Sequence, residues 1–578
     1  MRCKLNHIAA VLLPAVLIFI VTGSARAQHE PGGGAASGAV EGLRGSVTAT
    51  VKSGHRSLGK TTAPIRRRAT PARTAKPDAD DYYEQGEKFF DAKQYAQAIE
   101  PYKKAIRLNP DLSEAHYRLG WIYNEQEKYE LAVDTLNEAL RSKADYPDAL
   151  IELGFAQRNL KHYVEALAAY RRAVRLKPDS ATSFYEIGWI FNDQEKFTEA
   201  VEPLKSALRL KPDYAEANNE LGYAYRKLGR YSLAIEAYKE SIRANSELGL
   251  AHLGLGDVYY YNTKQYAQAI AEYKEGLRLK PDNATAFHNL AWSYNETKQY
   301  SAAVEAANQA IRLKPNYPEA HVELAYAYSK LGESAPAKSS EAKQKFGDAV
   351  AAYKAAVRLK PDYASAYSGL ADLYRHNLQQ YEEAIEAYKE SVRLKPDNQL
   401  AQYNLGWCYN ELERYAESIT PLRQAIKLKP EDADAHTELG YALRKLARYP
   451  EAIIELKEAV RISPEKTTAL YELGWISSEQ EHFAEAVNYL QRAVRIKPDY
   501  AEAQNELGYA YRSLNQYANA ISAYKQAIAA KPNYGLAHYN LGMAYFSSGD
   551  KTSALDQYRI LQRFDQERAK KLYAAINK

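Results

Sequence analysis

Cysteine and methionine are the scarcest residues of this 578-residue chain, with two of each. Cys3 lies among the first 27 residues, so Cys408 stands alone in the rest. That excludes an intrachain disulfide there and a paired-cysteine metal site. The scarcity also suits passage through an oxidising space. Long apolar runs are missing too. The one sustained stretch, residues 8–21, falls short of the roughly 20 residues that span a bilayer. No transmembrane segment is expected once it is removed as a leader. The body of the chain also lacks positive charge. Of the formal net charge of +5, residues 1–27 supply +3 through Arg2, Lys4 and Arg26. Residues 28–77 supply +7 through nine Lys/Arg against Glu30 and Glu41, which leaves −5 for everything after them. A mildly acidic body has no basic face for general nucleic-acid binding, so no nucleic-acid partner is expected. HExxH, GxSxG and GxxxxGK[ST] are absent as well. No enzyme activity, cofactor or metal is expected.

What is present begins with a leader. Arg2 and Lys4 precede the apolar run, and Ala25-Arg26-Ala27 supplies a small-x-small cleavage pattern. Residues 1–27 are therefore expected to be a signal peptide, making the chain exported, to a periplasm or the outside. Residues 28–77 carry Gly32-Gly33-Gly34, Pro64, Pro71, Pro77 and Arg66-Arg67-Arg68 without apolar periodicity. Such a composition cannot bury enough surface to offset the entropy of ordering it, and predicts a disordered basic linker.

From residue 78 to about 565 one unit recurs, seen in residues 211–244, KPDYAEANNELGYAYRKLGRYSLAIEAYKESIRA. Pro178 and Pro212 are 34 residues apart, as are Pro430, Pro464, Pro498 and Pro532 in succession. A period of about 34 predicts a helix–turn–helix repeat whose apolar face is buried only by stacking on its neighbours. Proline should end each second helix. The Asp after it should cap the next helix, and the preceding basic run, such as Arg209-Leu210-Lys211, suits a helix C-terminus. Leu221, Gly222 and Tyr225 with Ala234, Tyr238 and Ser241 mark the packing faces, and a turn aromatic recurs at Tyr129, Tyr163, Phe197, Tyr231, Tyr415, Tyr449, Phe483 and Tyr517. Packing thus absorbs most of the 49 tyrosines. Leu507-Gly508, Tyr511, Ala520, Tyr524, Ala527 and Pro532, like Leu119-Gly120, Tyr123, Ala132, Leu136 and Ala139, resemble the tetratricopeptide repeat pattern. The resemblance covers nearly everything after the linker. It implies an all-α solenoid, an α–α superhelix of about fourteen repeats, with a protein-binding concave groove.

Departures from the pattern carry information of their own. The intervals Ser246–Pro281 and Pro361–Pro396 each hold one extra residue, and Pro315–Pro361 holds twelve. The twelve are expected to form a polar surface loop around Gly332–Lys338. Residues 566–578 are expected to cap the end of the stack. His116, His252, His321, His436 and His538 each precede the Leu-Gly or Leu-Ala pair by three residues, one per repeat, and are expected to pack.

The more specific signal lies one residue after the Leu-Gly pair. All five tryptophans, Trp121, Trp189, Trp292, Trp407 and Trp475, sit there. Alternate repeats place Phe155, Tyr223, Tyr326, Tyr441 and Tyr509 there, with interruptions at Asp257, Asp372 and Met543. Three residues on, tryptophan repeats carry Asn124-Glu125, Asn192-Asp193, Asn295-Glu296 and Asn410-Glu411, with Ser478-Glu479 in the Trp475 repeat, while Arg158, Arg226-Lys227, Arg444-Lys445 and Arg512 follow Phe155, Tyr223, Tyr441 and Tyr509. The effective period is two repeats. The two rows are expected to face the groove. In one reading Arg and Glu of adjacent repeats pair across the groove wall and the aromatics pack along it. In the other the asparagine amides serve a peptide backbone and the aromatics give flat contact area. The leading expectation is a scaffold holding a peptide or protein segment. The alternative is a polysaccharide in envelope glycan export or assembly, stacked on the tryptophans.

Overall fold

A computed structural model describes residues 76–577; the expected leader and nearly all of the linker lie outside them. The described residues fall into two units, 76–327 and 328–577, divided within the helix Pro318–Ser334. Each unit is a run of antiparallel helix pairs, and among the described residues there are fourteen pairs followed by one helix, Gln566–Ile576. No strand occurs among them.

Two kinds of helix alternate because their sequences bury different amounts of surface. Second helices bury one stripe: in Phe197–Leu210 it is Ala200, Val201, Leu204 and Ala207. First helices are enclosed on most sides. Ala181–Asp193 buries eight of its thirteen residues, among them Tyr185, Ile187, Gly188, Trp189, Ile190 and Asn192. Small residues set the spacing. A Cβ on Gly188 would lie 2.5 Å from Leu204 Cγ, and one on Gly222 would lie 2.9 Å from Tyr238 Cδ1. Core clusters cross from pair to pair, as where Ile419 and Leu422 join Leu439, Leu456 and Ile476. No pair closes its own core.

Within most pairs the turn is three residues long, with its middle residue left-handed: Lys161 (φ 61°), Glu195 (φ 59°), Gly229 (φ 72°). Glu195 N–H donates to Asn192 O and Lys196 N–H to Phe191 O, closing the first helix. Basic residues do occupy the last turns of second helices, Arg209 among them. The expected aspartate cap forms at Asp78, after Pro77, where its side chain accepts from Asp81 N–H; in the turns between repeats it is displaced. The N-cap is the residue after the Asp, and it is often Tyr, as at Tyr214, with no side-chain bond. Side-chain caps come instead from Ser180, Asn283, Asn398 and Asp432. The proline turn is too tight for the earlier Asp to reach back over the first N–H groups.

The insertion also differs from the expected loop. Its residues lengthen both helices, Pro318–Ser334 and Ser340–Leu359, leaving only 335–339 between them. Gly332 lets Phe346 pack against the added turn, which is why these residues continue the helix. Each one-residue excess appears as a π-helical turn at the end of a first helix, Val258–Asn262 and Leu373–Leu378.

Candidate functional site: the aromatic ladder and its clamps

Most ladder aromatics meet, from the first helix, the turn aromatic of the repeat before. Tyr95 lies edge-on to Trp121 at 5.2 Å, Tyr129 to Phe155 at 6.2 Å and Phe197 to Tyr223 at 5.7 Å. Tyr300 meets Tyr326, Tyr381 meets Trp407, Tyr415 meets Tyr441, Tyr449 meets Trp475 and Phe483 meets Tyr509 in the same way. Trp292 packs on Tyr260. Trp121, Phe155 and Trp189 are buried, whereas Tyr223, Trp292, Tyr326, Trp407, Tyr441, Trp475 and Tyr509 keep part of their surface open.

The asparagine row points inward. Asn124 Nδ2 donates to Glu152 O at 3.0 Å and to Glu152 Oε2 at 2.8 Å. Asn192 holds Glu220, Asn295 holds Glu323 and Asn410 holds Glu438 through the same two contacts, all at 2.8–3.1 Å. The amide N–H groups expected to serve a peptide backbone are spent on the next repeat. Arginines do the alternate clamping: Arg158 Nη1 donates to Glu186 Oε2 at 2.6 Å with both side chains buried, and Arg444 pairs with Glu472. Arg226, whose partner position holds Gly254, lies 3.9 Å from Asp257 instead. Arg512 has Asn540 across from it and stacks 5.7 Å from Tyr509.

The glutamates are the residues the two expected rows omit. Glu152, Glu186, Glu220, Glu323, Glu438, Glu472 and Glu506 each lie three residues before a ladder aromatic and 28 residues after the row residue of the repeat before, so that spacing was the available signal. On the second helices the facing residue varies with the clamp in most repeats: Tyr170, Tyr238 and Tyr524 accompany arginines and Leu136, Leu204, Leu422 and Leu490 accompany asparagine or serine, with Leu456 beside Arg444 and Ala307 beside Asn295 as exceptions. Burial raises the carboxyl pKa of Glu438 to about 7, against the opposing hydrogen bond from Asn410. Glu506, facing Ser478, is pushed to about 7 for the same reason.

Asp257 and Asp372 interrupt the ladder with one design. Asp257 accepts from Tyr273 Oη at 2.8 Å and faces Asn289; Asp372 accepts from Tyr388 Oη and, at 3.3 Å, from Asn404. Each lies just before its π turn. The histidines act as clips. Nε2 of His116, His436 and His538 each lies 3.0 Å from a proline carbonyl, of Pro110, Pro430 and Pro532.

What remains for solvent is a polar edge four residues beyond the aromatics. Lys227, Glu296, Glu411, Lys445 and Glu479 are exposed there. Lys227 Nζ lies 5.7 Å from the Tyr223 ring and Lys445 Nζ 5.4 Å from that of Tyr441. Guanidinium groups cover one face of three tryptophans: Arg158 on Trp189, Arg375 on Trp407 and Arg444 on Trp475, at 4.4–4.8 Å. No group of three metal-ligating side chains and no helix long and apolar enough to cross a membrane occurs among the described residues.

Profiles of the tetratricopeptide repeat match residues 125–284 in overlapping segments, and again 362–431, 411–467 and 467–500. A related repeat profile matches 86–123, 292–332, 342–377 and 508–549. No curated protein matches the sequence. Among solved structures, the chain is similar to YrrB, described as a TPR protein with an unusual peptide-binding site, at 24% identity over 35% of this chain and 96% of that one (TM-score 0.31). It is also similar to PilW, a type IV pilus biogenesis factor, at 21% identity over 36% and 98% (TM-score 0.34). The Cut9–Hcn1 structure matches at 16% identity over 81% and 96% (TM-score 0.32).

Proposed function

The chain belongs to the tetratricopeptide repeat family, and from that premise we propose that it is an exported scaffold holding a peptide or protein segment along its ladder face. Proteins of this family are in general non-catalytic scaffolds for protein–protein contacts. The reading rests on one observation: half-buried aromatics are bordered by exposed charges of both signs, Lys227 and Glu296 in the unit 76–327 and Glu411, Lys445 and Glu479 in the unit 328–577. A segment bound on either unit would lie across aromatic edges and meet both lysine and glutamate heads. A polysaccharide finds less here, because guanidinium groups occupy one face of Trp189, Trp407 and Trp475, where a sugar ring would stack.

Photo-crosslinking in the producing cell tests the reading. Benzoylphenylalanine at Lys227 or Lys445 should capture a protein partner through a defined segment. The same group at Val164 or Ile454, exposed on second helices, should not. Equal capture from both faces, or none from the ladder face, overturns the assignment. N-terminal sequencing of the mature protein, expected to start at Gln28, checks export.

A further inference from the structure

The aromatic ladder is broken twice, at Asp257 and Asp372, each followed by a π turn. Before the first break stand four rungs, Trp121, Phe155, Trp189 and Tyr223, all in the unit 76–327. After the second stand four more, Trp407, Tyr441, Trp475 and Tyr509, all in the unit 328–577. Each rung of the second run follows its counterpart by 286 residues. The clamps repeat with the rungs. In residues 113–248 three carboxyls join successive repeats, through Asn124 and Glu152, Arg158 and Glu186, and Asn192 and Glu220. In residues 399–534 the order is Asn410 and Glu438, Arg444 and Glu472, then Ser478 and Glu506. Both series stop at the same point, where Arg226 and Arg512 meet Gly254 and Asn540 in place of a glutamate. Both runs are also preceded by an acid in the ladder place, Glu87 and Asp372, which accepts from a tyrosine hydroxyl of its own repeat, Tyr102 and Tyr388. The repeats between hold only a pair of rungs, Trp292 and Tyr326, with one clamp, Asn295 on Glu323.

Agreement between the two runs lies on the first helices. Residues 211–226 and 497–512 differ only at Asn218, which Gln504 replaces. Asp148, Thr182 and Glu216 near the starts of first helices recur as Asp434, Thr468 and Glu502. The outer stripe of the second helices has drifted instead: exposed Leu131, Val164 and Leu233 are matched by Glu417, Pro450 and Asn519. Asp434 and Thr468 are exposed as well, so stacking does not account for one surface recurring and the other changing.

We infer that residues 113–248 and 399–534 are two copies of one binding site, and that each chain holds two copies of the same peptide segment. The inference deepens the peptide-binding reading and rests on it. Both runs offer the same chemistry at the same spacing: Trp, Phe or Tyr, Trp, Tyr, with an edge acid beside the first and third rungs. Those acids are Glu125 and Asp193 in one run and Glu411 and Glu479 in the other. The edge cations do not recur, since Ser513 matches Lys227 and Asn159 matches Lys445. A segment that fits both runs therefore meets the acids with basic side chains set two repeats apart, and the rings with apolar ones. A scaffold with two such sites gains avidity for a partner that presents the segment twice.

Photo-crosslinking at matched places of the full chain, in the producing cell, tests this. Benzoylphenylalanine at Asn159 and, in a separate chain, at Lys445 should capture the same segment, identified by mass spectrometry of the crosslinked peptide, and that segment should contain Lys or Arg. A chain substituted at both places should acquire two adducts, in a proportion equal to the product of the two single yields. Benzoylphenylalanine at Glu296, in the repeats between, should not capture the segment. Circular dichroism checks that each substituted chain is folded, and Lys227 with Ser513 supplies a second matched pair if the first disturbs folding. Different segments from matched places, adducts that exclude one another, an acidic segment, or capture from Glu296 of a stretch continuous with both overturn the inference. Capture from one run alone sinks the duplication and leaves the scaffold; no capture from any of the four matched places sinks the scaffold reading itself.

Discussion

Removing the carboxylate of Glu186 would leave Arg158 charged and enclosed, since both side chains are almost fully buried. Breaking such a pair costs about 3–5 kcal/mol, whereas replacing both partners with apolar residues is often neutral. Glu186→Ala should therefore destabilise the repeats around it, and Arg158→Met/Glu186→Met should recover most of the loss. Hydrogen exchange of the helices 147–159 and 181–193 resolves this locally, where a global melt of a long array would blur it. Glu438 gives the opposite chemistry, since a neutral amide holds it. Its folded pKa of about 7 exceeds the ordinary carboxylate value. The folded chain thus keeps a proton that the unfolded chain has released, and stability falls as pH rises from about 5 to 8. Asn410 faces this carboxyl, with Glu411, Asp434 and Lys466 around it. Glu438→Gln, still an acceptor for Asn410, should reduce the slope by roughly 1–2 kcal/mol over that range, read from thermal melts at each pH. It should not abolish the slope: hydrogen bonding to Glu272 raises the His252 pKa, and despite burial the bond to Glu455 raises that of His436. Stability from both histidines is full below about 6.5 and is lost as pH climbs through their folded values. The clamp row itself was legible in the sequence; its partners were not. One acid among many on a helix acquires meaning only when a side chain 28 residues away reaches it.

Among elements, the hairpin turns carry a cost that the sequence hides. Glu195 and Ala447 adopt φ near +60° although only Gly229 and Gly549 have the residue suited to it. Glu195→Gly and Ala447→Gly should each gain about 0.5–1 kcal/mol, and Gly229→Ala should lose a similar amount. At Gly229 no atom lies within 4 Å of an added Cβ, so any loss measured by thermal melting comes from the backbone alone. The turns were located by their aromatics, but a left-handed Glu, Lys or Ala leaves no composition signal. The extra residues were equally visible as intervals of 35 and 46, and invisible as geometry. A single surplus residue can bulge a helix, and a polar dozen can lengthen two, because helix propensity and a contact such as Phe346 on Gly332 decide the outcome.

At the scale of the unit 76–327, the alternating clamps make a two-repeat period the natural unit of deletion. Asp257 in the helix Gly249–Asp257 is buried and draws on Arg226, and Gly254 in the same helix accommodates the Tyr238 ring, which would meet an added Cβ at 2.5 Å. Removing residues 181–248 would bring Arg158 and Tyr170 to those places, the same pair of residue types in the same register. Removing only 215–248 would bring Asn192 and Leu204 instead. Asn192 would lose its acceptor Glu220, Asp257 would lose its guanidinium, and a leucine would leave the space of a tyrosine ring empty. Each loss costs on the order of 1–3 kcal/mol. The shorter deletion should therefore expose amides of 249–257 to hydrogen exchange and lower the melting temperature, while the deletion twice as long should leave both near those of the full chain. A simple solenoid, with interchangeable repeats, predicts the reverse order, because stability there grows with the number of repeats retained. The comparison thus decides whether the repeat or the pair is the unit that this chain is built from.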